Sequence, residues 1–300
     1  MPLIVTGSIG IDSVHAPTGS AEDVLGGSCV YFAAAASFFT PVRLVAAVGE
    51  DFPPHFLDTF RRFRIDMAGL EMRVGSKTFR WRGKYHENMN QRDTLSVELN
   101  VLAESLPPVP HQFRDSQYVF LANTHPGGQL DLLGNFPQRK LAVADTMDLW
   151  IETERPTLLK LLTQIDGLVL NDSEAIMLTE ETNLIRAADA ILQLGPKFVV
   201  IKKGEHGSLL VHRDGEIVLP AFPAREVVDP TGAGDSFAGG MMGYLAASGD
   251  LTLGGLRKAM AYGTIVASYN IEAFSLERLK QIERADLDTR FANYRGMMNV

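Results

Sequence analysis

Cysteine is nearly missing from this 300-residue sequence: Cys29 is the only one. It has no partner for a disulfide within the chain and cannot build a cysteine zinc site, so an oxidised secreted scaffold is excluded and a reducing interior is favoured. Basic residues are outnumbered. Lys and Arg total 28 against 36 Asp and Glu, a net charge of −8 that repels polyanions over most of the surface and argues against bulk nucleic-acid binding. Long apolar runs are absent too. Cys29–Phe39 and Met241–Ala247 fall short of the ~20 residues that span a bilayer, so no membrane segment is expected. Met1–Gly10 has neither a basic n-region nor a cleavage pattern and reads as a first strand, which makes the cytoplasm the expected location. No H-E-x-x-H or Cys-rich ligand set occurs and the seven histidines are scattered, so a protein-caged transition metal is not expected. There is also no G-x-x-x-x-G-K-[ST] loop and no G-x-G-x-x-G turn, so any phosphate recognition must use another device.

What is present is an ordinary globular composition, 46% hydrophobic and 21% charged, at a length that allows either two domains or one large α/β domain. Short β-branched runs alternate with helix-period segments, as a parallel sheet with crossover helices requires. The expected strands are Leu3–Gly7, Arg43–Val48, Gln117–Leu121, Lys140–Asp145, Leu168–Asn171 and Phe198–Lys202. Helices are expected over Ser28–Phe39, Pro54–Arg64, Pro156–Gln164, Leu184–Leu194, Gly234–Ala247 and Leu253–Asn270, with a charged terminal one from Leu276. Leu209–His212 and Ile217–Leu219 read as a hairpin turning at Asp214-Gly215. Two segments, about 11–25 and 77–101, alternate apolar with polar residues and predict a small sheet covering one end of a single domain spanning 1–300. Within it, Trp81, Tyr85 and Met89 are candidate lid contacts.

Asp229–Gly240, reading DPTGAGDSFAGG, directly precedes a helix-like run. Gly232, Ala233 and Gly234 have little or no side chain, so their N–H groups can approach a ligand where the helix begins, and a helix N-terminus stabilises an anion. Asp235, in the first turn, is placed to accept a proton from a hydroxyl attacking a phosphoryl group. The string resembles the motif of the PfkB family of sugar kinases, with the ribokinase-like fold. Other segments agree with that family in order: GSIGIDSV, GGSCVYFAAAA, AVGEDF, NDSEA and KKGEHGS.

The resemblance implies a three-layer α/β/α sandwich with a mostly parallel central sheet and a small β lid. It implies an enzyme, a phosphotransferase moving the γ-phosphoryl of ATP to a hydroxyl of a sugar or sugar-like acceptor. Asp235 would be the general base, with the Gly232–Gly234 amides as anion hole. Asp12, Gly26 and Gly27 would line the acceptor, and Gly49, Glu50 and Asp51 match the family's Gly-acid-Asp turn. Asn171, Lys202, Gly204 and Gly207 would meet the nucleotide. Glu174 and Asn171 would hold Mg²⁺ through its waters, and Asp229 would face a monovalent cation, potassium, with the Ala273–Ser275 loop. A homodimer through the lid is also implied. Tyr31 stands where ribose-binding relatives carry asparagine, and it can stack on a base, pack on a ring or fill the core. Asn123, Thr124, His125 and Asp145 are either pocket walls or loop caps. A sugar acceptor is favoured slightly over a nucleoside, with a non-catalytic metabolite binder on the same fold as the remaining alternative.

Overall fold

The computed structural model describes residues 2–298. Its main sheet has nine strands. They are β1 (Leu3–Thr6), β4 (Val42–Gly49), β5 (Asp66–Arg73), β8 (Tyr118–Leu121), β9 (Leu141–Asp145), β10 (Gly167–Asn171), β11 (Phe198–Lys202), β12 (Ser208–His212) and β13 (Gly215–Leu219). The order is β13-β12-β11-β10-β9-β8-β1-β4-β5, parallel throughout except for the antiparallel pairs β11–β12 and β12–β13.

Alternation along each central strand divides the core in two. Leu3 and Val5 point into one apolar cluster while Ile4 points into the other. The first cluster is closed by α1 (Ser28–Ser37), α8 (Ala233–Ser248), α9 (Leu253–Asn270) and α10 (Arg284–Met298). The second is closed by α3 (Pro126–Leu133), α4 (Asp148–Thr153), α5 (Arg155–Leu162), α6 (Asp172–Thr179) and α7 (Leu184–Gln193). The parallel sheet with crossover helices is the one the alternation predicts, and the three layers are those the family resemblance implies.

Four more strands form a separate sheet in the order β3-β2-β6-β7: β2 (Gly10–Ala16), β3 (Gly19–Gly26), β6 (Phe79–Tyr85) and β7 (Arg92–Glu98). This is the expected lid. Its root is fastened by the Gly49–Asp51 turn: Gly49 N–H donates to Thr78 Oγ1 at 3.0 Å and Thr78 N–H donates to Asp51 Oδ1 at 2.7 Å.

Sequence and structure differ in four places. Strand β5 was not anticipated, because as an edge strand it mixes exposed and half-buried residues and carries no continuous apolar run. Helices α3, α4 and α6 are short, at eight, six and eight residues, too brief for a helical period to emerge. The helix between β4 and β5, α2, is confined to Phe56–Arg62. The terminal helix starts at Arg284 rather than Leu276. Leu276, Leu279 and Ile282 are all buried at three-residue spacing, which suits a 3-10 turn, and the helix begins only where Asp286 accepts from Glu283 N–H at 2.8 Å.

Candidate active site

The loop before α8 is built by its own side chains. Asp229 Oδ1 accepts from Thr231 N–H at 2.8 Å, and Ala233 N–H closes a turn onto Pro230 O at 3.1 Å. Gly232 is the N-cap at φ +73°, a left-handed conformation suited to glycine, and its Cα rests directly on the Tyr31 ring, so no side chain would fit there. The anion-hole expectation is thereby corrected at one residue: the Ala233 N–H is engaged by the turn. The Gly232 and Gly234 N–H groups have no carbonyl partner among the described residues and remain as donors at a helix N-terminus.

Asp235 is half-buried one residue beyond these donors. Burial pushes its carboxyl up to about 6, with Glu174 adding to the rise and Lys202 and Arg92 pulling against it. Lys202, at the end of β11, lies over Gly234: a methyl group on that glycine would stand 2.8 Å from its Nζ. At the end of β9, Asp145 is buried with Oδ1 unpartnered, and burial together with the Asp235 charge holds its carboxyl well above the ordinary range.

On the lid side, Asp12 is only 4% exposed and its Oδ1 has no partner. Burial, then the charges of Asp229 and Asp235, raise it to about 7 against the opposing Gly27 N–H. The role of the Gly26-Gly27 pair is visible here. The Asp12 carboxylate lies on the bare Cα of Gly26, and Gly27, at φ +104°, packs against the Ser8 carbonyl. Tyr31 is 1% exposed, its ring covered by Gly232 and its Oη unpartnered near Asp12, Asp229, Tyr85 and Asp235. Stacking on a base is excluded for a ring so covered, and the phenol oxygen is itself buried without a partner. Asp229 is equally buried, with Oδ2 unpartnered and the Ser275 N–H beside its carboxylate.

Other expected residues are partly committed to structure. Asn171 and Glu174 form a capping box for α6: Asn171 Oδ1 accepts from Glu174 N–H at 2.8 Å, and Glu174 Oε2 accepts from Asn171 N–H at 2.7 Å. One Glu174 oxygen remains, and burial keeps that carboxyl above its usual value despite Lys202. Among the described residues no three His, Cys, Asp or Glu side chains converge as metal ligands. Both ends of the Asn123 amide are used, Oδ1 by Trp150 Nε1 at 2.9 Å and Nδ2 by Met147 Sδ at 3.0 Å, so Asn123 braces the wall rather than offering a free amide. His125 caps α3. Gly204 and Gly207 both have positive φ, +54° and +84°, and close the turn between β11 and β12.

Two lid features escaped the sequence reading. Asn90 Nδ2 donates to Glu205 Oε1 at 2.9 Å, tying the β6–β7 turn to the β11–β12 turn across the cleft. Arg92, paired with Tyr85 in the lid register, reaches the electrostatic surroundings of Asp12, Glu174 and Asp235. Neither carries a motif; only strand register and the position of the closed turn expose them.

The description "pfkB family carbohydrate kinase" fits residues 137–279, the half containing Asn171, Lys202 and Asp235. Over 252 residues the chain is 31% identical to the cytidine kinase of Thermococcus kodakarensis, covering 81% of this chain and 88% of that protein. The chain belongs to the pfkB family. This kinase also superposes on the nucleoside kinase of Burkholderia thailandensis, solved in complex with inosine, with a TM-score of 0.80 at 19% identity, over 98% of both chains. A putative ribokinase II from E. coli, in complex with ATP and Mg²⁺, gives 0.79 at 15% identity over 97% of this chain and 98% of that one. The fold is thus ribokinase-like, and the protein is a sugar or nucleoside kinase carrying out ATP-dependent phosphoryl transfer. No helix among the described residues is long and apolar enough to cross a membrane.

Proposed function

We propose that this kinase phosphorylates a hydroxymethyl group of a ribonucleoside, with Asp235 as general base and the free Gly232 and Gly234 amides meeting the transferred phosphoryl group. The reading rests on one juxtaposition: Asp12 and Trp81 are paired in the lid register, so a carboxylate and an indole share the lid face over the cleft. Asp12 suits ribose hydroxyls. Trp81, half-buried beside the bare Cα of Gly83, and Val97 opposite it offer apolar cover that a base needs and a free sugar does not. The cytidine kinase relative supports the same class of acceptor.

The alcohol oxygen attacks the γ-phosphorus, the bond to the β-bridging oxygen breaks, and the alcohol proton passes to Asp235. The amides of Gly232 and Gly234 and the ammonium of Lys202 stabilise the charge on the transferring group. Magnesium, when bound with ATP, neutralises phosphate charge; the unpaired oxygen of Glu174 and the neighbouring Asn171 suit its waters. Asp229, buried with an orphaned oxygen beside the Ala273–Ser275 loop, suits a potassium ion. Gly204 and Gly207 shape the turn against the nucleotide. The whole chain, residues 1–300, acts as one domain with its lid, and the exposed Leu95 and Val97 of the lid favour pairing with a second copy.

The test is ATP consumption against a panel of ribonucleosides, free pentoses and hexoses, and cyclic polyols. Turnover with a ribonucleoside at least tenfold more efficient than with any free sugar supports the reading. A free sugar or polyol preferred over every nucleoside overturns the acceptor, and tight acceptor binding without turnover would favour a binder.

A further inference from the structure

We infer that Tyr85 is a positioning residue: its hydrogen bond to Thr231 lets the lid set the anion loop, so that an acceptor closing the lid tightens the site for the γ-phosphoryl group. This rests on the reading of the Gly232 amide as an anion donor but not on which acceptor is used.

Every polar group of Thr231 is engaged. Its N–H donates to Asp229 Oδ1 at 2.8 Å, its carbonyl accepts from Asn270 Nδ2 at 2.8 Å, and its Oγ1 donates to Tyr85 Oη at 3.2 Å. Asn270, the last residue of α9, also accepts from Ser236 Oγ in the first turn of α8 at 3.2 Å. Two of the three anchors therefore belong to the body of the protein. The third belongs to the lid: Tyr85 is the last residue of β6, and it and Thr231 are only 6% and 8% exposed. The Thr231 carbonyl and the Gly232 N–H share one planar trans peptide and point in opposite directions, so whatever fixes Thr231 also aims the Gly232 donor.

A second tie lies three residues upstream. Thr18, in the turn between β2 and β3, donates to Val228 O at 2.7 Å, and beside it a methyl group on Gly19 would stand 3.7 Å from the Phe274 ring. The lid thus comes down on residues 228 and 231, on either side of Asp229. Its root is held separately, by Ser275 Oγ donating to Leu25 O at 2.6 Å and by the bonds of Thr78. Tyr85 lies six residues along β6 from Phe79 at that root, roughly 20 Å of extended strand, so a lid pivoting at its root releases Tyr85 and Thr18 together. The anion loop then keeps its two inner anchors and loses its outer ones. Coupling of this kind is reciprocal: an acceptor that closes the lid favours the aimed Gly232 amide, and a γ-phosphoryl on that amide favours the closed lid.

The experiment measures binding of the magnesium complex of β,γ-imido-ATP by calorimetry, with and without a saturating concentration of whichever acceptor turns over best. Wild type should bind this analogue about tenfold more tightly or better when acceptor is present. Mg·ADP has no γ-phosphoryl for the Gly232 amide to meet and should gain about threefold at most. Tyr85→Phe keeps the ring and Thr231→Val keeps the shape, so each should fold. Each should cut the gain for the analogue to about threefold or less, with affinity in the absence of acceptor within about twofold of wild type. The double variant Tyr85→Phe/Thr231→Val should lose no more than either single one, because both delete the same bond. A hydroxyl with a purely structural role would weaken binding with and without acceptor alike and leave the ratio untouched. A wild-type ratio in Tyr85→Phe and Thr231→Val therefore overturns the inference while the Gly232 reading stands. Equal gains for ADP and the analogue in wild type would place the fault in the Gly232 reading itself, and no gain for either would end the inference with phosphoryl transfer unaffected.

Discussion

The ammonium of Lys202 lies against the Cα of Gly234, so close that a methyl group on this glycine would come within 2.8 Å of Nζ. Gly234 sits in the first turn of α8 without a left-handed φ, so alanine suits its backbone, and the obstructing atom is the far end of a flexible side chain. Gly234→Ala should therefore fold at least as well as wild type, gaining up to about 1 kcal/mol from helix propensity. The displaced ammonium should lower kcat by about 10²-fold. Thermal unfolding and steady-state kinetics on the same preparation check this; full activity would mean that Lys202 is not needed where it stands.

Asp235→Asn keeps the shape of the helix tip and removes the base. Turnover should fall by about 10²–10⁴-fold with the ATP KM almost unchanged. In wild type the carboxylate must be ionised to accept the proton, and burial has raised it to about 6. Activity should accordingly be full above pH 7 and decline as pH falls through about 6, a limb measurable as log kcat against pH. A profile flat down to pH 5 would place the proton elsewhere.

The central sheet was legible because β1, β8, β9, β10 and β11 are apolar on both faces, a pattern few other elements produce. The glycine-rich tip of α8 was legible because DPTGAGDSFAGG places small residues and Asp235 together where a helix begins. Several of those glycines also serve packing: Gly232 lies on the Tyr31 ring, Gly239 on the Phe32 carbonyl of α1 and Gly240 on Gly263 of α9. Asn123 looked like a pocket amide, but whether an amide is free or spent depends on Trp150 and Met147, residues over twenty positions away. Arg92 was invisible for the same reason. Its partner Tyr85 lies across a turn, and which of three lid arginines stays unpaired is decided by where Asp23, Asp51 and Glu22 fall in three dimensions.

Asp12 and the fold oppose each other at neutral pH. Its carboxyl has a folded value of about 7 against 3.8 when exposed, so between those values the native state holds a proton that the unfolded chain has released. Stability contributed by this group is present at acid pH and is lost as pH rises through the window to about 7. Asp12→Asn should thus raise the melting temperature at pH 8 by at least the equivalent of about 1 kcal/mol, and should not raise it at pH 4. The same variant should weaken acceptor binding at least tenfold. Unfolding scans at the two pH values give the first half, and acceptor KM gives the second.

Tyr31 combines a supporting ring with a phenol oxygen that has no partner. Tyr31→Phe keeps the ring under Gly232 and deletes an unsatisfied buried group, so stability should hold or improve by about 1 kcal/mol. Acceptor KM should rise up to about tenfold, as the loss of one hydrogen bond to substrate predicts. Tyr31→Ala should cost about 3–5 kcal/mol and release the anion loop, lowering kcat as well. Equal kinetics for Tyr31→Phe and wild type would restrict Tyr31 to its supporting role.

The Asn90–Glu205 hydrogen bond joins two exposed turns, so its contribution to global stability is small, while its contribution to closure is direct because it ties the lid tip to the β11–β12 turn. Glu205→Ala should leave the melting temperature within a degree of wild type and lower kcat/KM for the acceptor about two- to fivefold, with Asn90→Ala behaving alike. ATP hydrolysis in the absence of acceptor should not fall in parallel, because water needs no closed lid to enter. The double variant Asn90→Ala/Glu205→Ala should be no worse than either single one, since both remove the same contact. Additive losses would mean that each residue acts through a different partner and that the lid is held shut from elsewhere.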